Sequence, residues 1–149
     1  MATPDGTPSA TPEVFTMPEG TPADEQTVEA VTAAIRESLA CGNAGDSLRI
    51  FSTLTDSYIA TLLVNAGLPT MSRAIYDFLA TPIAAPPEIQ VSLDSIEDVQ
   101  VLLDGRIGAI VVTTDTETTR NYVVLVERDG RYLIDRVTPI PDATPTPGT

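Results

Sequence analysis

The chemistry open to this chain rests on carboxylates, phenols and guanidinium groups. It has no histidine, which removes the commonest general base and the commonest metal ligand. All eight basic residues are arginines (Arg36, Arg49, Arg73, Arg106, Arg120, Arg128, Arg131, Arg136), so Schiff-base and phosphate-loop lysines are absent too. Tyr58 follows Asp56 by two positions, and Tyr76 directly precedes Asp77. A tyrosine beside a carboxylate in an apolar cavity could polarise a carbonyl and move a proton. The plainer reading has Asp56 capping a helix and both tyrosines forming core or pocket wall. Asp135 is the sharpest case. It lies between Ile134 and Arg136 on an apolar strand, where an acid is costly unless paired or hydrogen-bonded. It reads either as a pocket base or as a structural acid that pairs with an arginine or accepts backbone donors.

The other charged and reactive residues read more simply. Arg120 and Arg136 could hold a carboxylate ligand, although surface solvation accounts for both. Arg106, Arg128 and Arg131 flank two Asp-Gly turns and are expected to be exposed. The acidic run Asp94–Asp98 lacks the spacing and the glycine of a calcium loop and reads as a solvated edge. Cys41 is the only cysteine. It reads as a buried structural thiol at the end of an apolar helix face, with no disulfide and no zinc site. No metal and no cofactor are expected.

Length and charge set the class. The 149 residues suggest one domain, and a hydrophobic content of 42% is well above the disordered range. A net charge of −13 has the wrong sign for nucleic acid or for an anionic membrane surface. No run approaches the roughly 20 apolar residues of a spanning helix, so direct membrane insertion is not expected.

The elements that must position these residues follow from punctuation and period. Thr-Pro pairs recur through residues 1–23 and again through 141–149, and both segments are expected to be disordered tails. Val14, Phe15 and Met17 are the apolar exceptions in the first. Tracts of this kind resemble the stalks of bacterial secreted and cell-surface proteins. With no signal-like run after Met1, the expectation is an extracytoplasmic protein whose export signal is missing from this chain, with a cytoplasmic protein as the alternative.

The folded part is expected over 24–140. Thr21-Pro22-Ala23-Asp24 opens a first helix, with Thr21 as cap and Val28, Val31, Ile35 and Leu39 inward, and Gly42-Asn43 ends it. Asp46 caps a short second helix with Leu48, Phe51 and Leu54 inward. Asp56 caps a third, with Ile59, Leu62, Leu63 and Ala66 inward. Thr70 caps a fourth, with Met71, Ile75, Phe78 and Leu79 inward. From Ile89 the period becomes two, with Val99, Val101 and Leu103 on one face. Asp104-Gly105 and Asp129-Gly130 are two-residue hairpin signals. They predict that Leu103 faces Arg106 and that Arg128 faces Arg131. The second register then sets Tyr132 opposite Glu127, Ile134 opposite Leu125 and Asp135 opposite Val124, with Asp135 on the face of Leu133 and Val137. Helices followed by an antiparallel meander argue for an α+β domain with N-terminal helices packed on a curved antiparallel sheet.

Three features carry a resemblance over roughly Asp24 to Ile140. They are the CGNAGDSLRIFSTLTDSYI stretch, the helices-then-meander order, and the closing hairpin ERDGRYLIDRV. Together they resemble a bacterial member of the nuclear transport factor 2-like superfamily, the cystatin-like cone shared with polyketide cyclases and ketosteroid isomerases. The closing aromatic is usually tryptophan in that pattern and is Tyr132 here. The resemblance implies a pocket between helices and sheet, for which Tyr58, Tyr76, Tyr122, Asp135 and Arg136 are the candidates. It treats Asp135 as part of a fold pattern, which favours the structural role. None of its motifs is catalytic. The function expected is non-catalytic binding of a small apolar ligand or a protein partner. The rivals are an isomerase, cyclase or epoxide-hydrolase-like enzyme using Asp135 and tyrosines, and a homodimer assembled through the sheet face.

Overall fold

The computed structural model describes residues 15–68 and 72–141. The tails 1–14 and 142–149, with Val14, Thr70 and Met71, lie outside the described residues. In chain order the elements are β1 (Gly20–Pro22), α1 (Glu25–Asn43), α2 (Ser47–Phe51), α3 (Asp56–Asn65), α4 (Arg73–Leu79), a 3-10 turn (Pro87–Ile89), β2 (Ser92–Leu102), β3 (Ile107–Thr114), β4 (Thr118–Arg128) and β5 (Arg131–Pro139). The sheet is an antiparallel meander in the order β1-β2-β3-β4-β5. It is not closed into a barrel, and the helices cover one of its faces, so the fold is α+β.

Local chemistry places the helix starts. Asp24, not Thr21, caps α1 by accepting from the Thr27 N–H at 2.7 Å. Thr21 and Pro22 are instead drawn into β1, opposite Val101 and Gln100. Asp46 caps α2 as expected. Thr55 caps α3 with its hydroxyl and leaves Asp56 as the first helical residue, where an acid suits the helix dipole. Ser72 caps α4.

Val31 and Ile35 sit one helical turn apart on α1 and are both buried. They meet Ile107, Val111, Val123, Leu125 and Ile134 of the sheet, with Leu54 closing the side. This cluster fills the space between α1 and the sheet. The apolar faces of the later helices are less deeply placed. Ile59 and Leu62 touch the cluster, whereas Ala66 is exposed and Phe78, expected inward, is 73% exposed.

The opposite face of the sheet has its own apolar cluster of Leu102, Ile110, Val112, Tyr122 and Val124. Phe15, Met17 and Ile140 pack on it. The fold therefore begins before residue 24, because Phe15–Pro22 lies along the sheet.

Two registers decide where the candidate residues point. Asp129-Gly130 forms the expected two-residue turn, with Arg128 opposite Arg131, Glu127 opposite Tyr132 and Leu125 opposite Ile134. Beyond that the pairing slips, and Val124 faces Arg136 rather than Asp135. Asp135 is the extra residue of a β-bulge. The slip sends Val137 to the helix-covered face. The Asp104-Gly105 turn is one residue longer than expected. The Leu102 N–H donates to the Arg106 carbonyl at 2.8 Å, so Leu103-Asp104-Gly105 forms the loop. The extra residue takes Leu103 out of the strand, where it is 84% exposed, and Leu102 is buried on the second face, while Val99 and Val101 keep their shared face against the helix-side cluster.

Candidate functional site

The bulge gives Asp135 its role. Residues Thr53–Thr55 run beside β5, with Thr55 N–H donating to the Ile134 carbonyl and Ile134 N–H to the Thr53 carbonyl, both at 2.9 Å. This sets the Thr55 hydroxyl 2.7 Å from Asp135 Oδ1, to which it donates. The same hydroxyl accepts from the Tyr58 N–H at 3.1 Å. Arg106 Nη1 donates to Asp135 Oδ2 at 3.2 Å. Both carboxylate oxygens are thus engaged, and Asp135 joins the start of α3 to the β2–β3 turn. Held at both oxygens, Asp135 works as a structural brace between these two segments.

Arg106 is half-buried rather than exposed because it is shared. Its Nε also donates to Asp104 Oδ2 at 2.7 Å. The Arg106 backbone N–H, and then its guanidinium, hold Asp104 below its ordinary value. Asp135→Ala is expected to lower the unfolding free energy by about 1–2 kcal/mol. The loss is modest because the acid side chain is 23% exposed and that of Arg106 40%. Asp135→Asn keeps an acceptor for Thr55 and recovers part of the loss. Urea denaturation of the three proteins measures both, and an unchanged midpoint for the alanine variant would rule out the brace.

The five candidate residues do not share a cavity. Tyr58 is half-buried and packs against the helix-side cluster, where burial pushes its phenol up. Tyr76 is 51% exposed on α4. Tyr122, Arg136 and the Asp135–Arg106 pair belong to the opposite face. Arg120 pairs with Glu97 at 3.2 Å. Cys41 is buried.

Two concavities matter, and neither is the cone interior that the sequence suggested. The first, about 370 Å³, lies on the second face of the sheet between the Phe15–Glu19 segment and the β2–β3 turn. Tyr122, Arg106 and Arg136 line it. The second, about 460 Å³, opens between α3 and α4. Every residue lining it is apolar, from Phe51 and Leu62, which also touch the core cluster, to Phe78. Sequence reasoning named Leu62, Leu63, Ile75 and Phe78 only as core.

The groove between α3 and α4 has no polar side chain in its lining. Among the described residues no cluster of acids and cysteine has metal-binding geometry, and no helix is long and apolar enough to cross a membrane. No family model, curated protein or solved structure matches the chain.

Proposed function

We propose that this chain is a non-catalytic, extracytoplasmic binding domain of the nuclear transport factor 2-like kind, carried on Thr/Pro-rich stalks, which takes a small apolar molecule between α3 and α4. One observation carries the reading: the groove there is of ligand size and has a wholly apolar lining. Ligand sites of about 300–1,000 Å³ are usual, and apolar walls are their common feature. The superfamily reading is supported by helices followed by an antiparallel meander. The engagement of Asp135 by Thr55 and Arg106 argues against the enzyme reading. Phe15 and Met17 lying on the second face of the sheet argue against a homodimer through that face. A protein partner is the second reading, favoured by exposed Val64 on α3, Phe78 on α4 and Ile83 in the linker after α4.

The test is titration with N-phenyl-1-naphthylamine, an apolar dye that brightens on leaving water. Wild type is expected to bind it, and Phe78→Asp to weaken binding by about tenfold or more through a charge at the groove. Phe78 is 73% exposed, so the variant keeps its fold. No dye binding by wild type, or equal binding by the variant, would refute the groove.

A further inference from the structure

We propose that the cleft on the second face of the sheet is a separate site for a small carboxylate with an apolar body. Its floor is Tyr122, which is only 4% exposed. The Tyr122 hydroxyl is fully buried and has no hydrogen-bond partner among the described residues. The phenol lies over Gly108, with Leu102 beside it, and it feels the charges of Arg106 and Asp104. Burial pushes its ionisation up, so at neutral pH it remains a hydrogen-bond donor. A buried donor without an acceptor is unfavourable, and a ligand oxygen would relieve it.

The charges of the cleft differ in how far they are already matched. Arg106 is committed to Asp104 and Asp135. Arg136 is exposed and has no carboxylate at salt-bridge distance among the described residues. Glu19 and Asp104 also line the cleft, so a ligand of low negative charge suits it better than a multiply charged one. The remaining lining is mainly apolar, with Phe15 set against the Tyr122 ring at a centroid distance of 5.2 Å and with Pro18, Leu102, Leu103 and Val124, while Thr16 and Thr138 add two hydroxyls. The lining thus combines an unsatisfied phenol donor and one spare guanidinium with a largely apolar wall. An arginine with no internal partner can bind a carboxylate through two parallel hydrogen bonds.

Calorimetric titration of the whole chain with 4-phenylbutyrate and with its neutral amide tests this. The acid is expected to bind about tenfold more tightly than the amide. Arg136→Gln is expected to remove that preference and leave amide binding unchanged. Tyr122→Phe is expected to weaken both ligands, because it deletes a donor that does not depend on charge. Phe78→Asp, which disables the groove between α3 and α4, is expected to leave acid binding untouched. Each variant's melting temperature confirms that it is folded. Equal affinity for acid and amide, an Arg136→Gln variant that keeps the preference, or loss of acid binding in Phe78→Asp would each overturn the site.

Discussion

Gly45→Ala is expected to lower the unfolding free energy by about 3–4 kcal/mol, the largest loss for so small a change in this chain. Two effects combine. Gly45 has φ of +67°, a left-handed conformation that costs a non-glycine residue about 1–2 kcal/mol. A methyl group there would also fall on the backbone of Ile83, at its carbonyl. Backbone cannot rotate aside as a side-chain tip can. The contact is structural on both sides: Ile83 N–H donates to the Gly45 carbonyl at 3.3 Å and Ala85 N–H to the Asn43 carbonyl at 2.9 Å. Asn43 then holds Val91 through both its carbonyl and its N–H, each at 2.8 Å. The end of α1 is thereby the anchor of the linker that delivers β2. Gly67→Ala is the control, since Gly67 has φ of +77° but open space around it. It is expected to cost only about 1 kcal/mol. Equal losses in urea denaturation would mean that conformation alone, and not the Ile83 contact, sets the cost.

Gly108→Ala comes next, at about 2–3 kcal/mol. A glycine within the strand flanked on both sides is unfavourable unless something lies on it. Here the Tyr122 phenol does, and a methyl group would overlap the ring's hydroxyl end. The ring has little room to swing, since Phe15 is against it and Leu102 is packed beside the same spot. In a Tyr122→Leu background the same glycine change is expected to cost less than about 1 kcal/mol, because leucine does not reach over Gly108. A double-mutant cycle reads the coupling directly. Additive losses would mean that the ring does not depend on the glycine.

Much of this fold was legible because local chemistry and tertiary structure agree. Asp46 caps α2, and Asp129-Gly130 sets its hairpin, since each needs only its neighbours. The period of two from β2 onward predicted a meander. The failures share a cause. Asp104-Gly105 marks a turn but does not count its residues, and one extra residue moved Leu103 out and Leu102 in. Nothing adjacent to Asp135 announces a bulge. It exists because Thr55, 80 residues earlier, and Arg106 meet there. Arg106 was read as exposed for the same reason. Thr21-Pro22 had the form of a helix start, but pairing with β2 outbid it. Phe15 and Met17 were outweighed by the Thr-Pro tract around them, yet the second face of the sheet offered Leu102, Ile110 and Val124 to cover. For the site, Tyr122 and Arg136 proved to be neighbours, while Tyr58 and Tyr76 belong to other surfaces. The groove between α3 and α4 could not be seen, because apolar residues facing a gap and apolar residues facing a core read alike.

The hydrogen bonds between Thr53–Thr55 and β5 also order events in time. The helices precede in the chain the strand that seats them. Ile134 and Asp135 must emerge before Leu54 and Thr55 have their partners. Closing contacts over such a span is slow, because most of the chain must be gathered before any reward is collected. Until then the helices' apolar faces are uncovered. Until β5 is in place, that uncovered surface is what a chaperone would recognise.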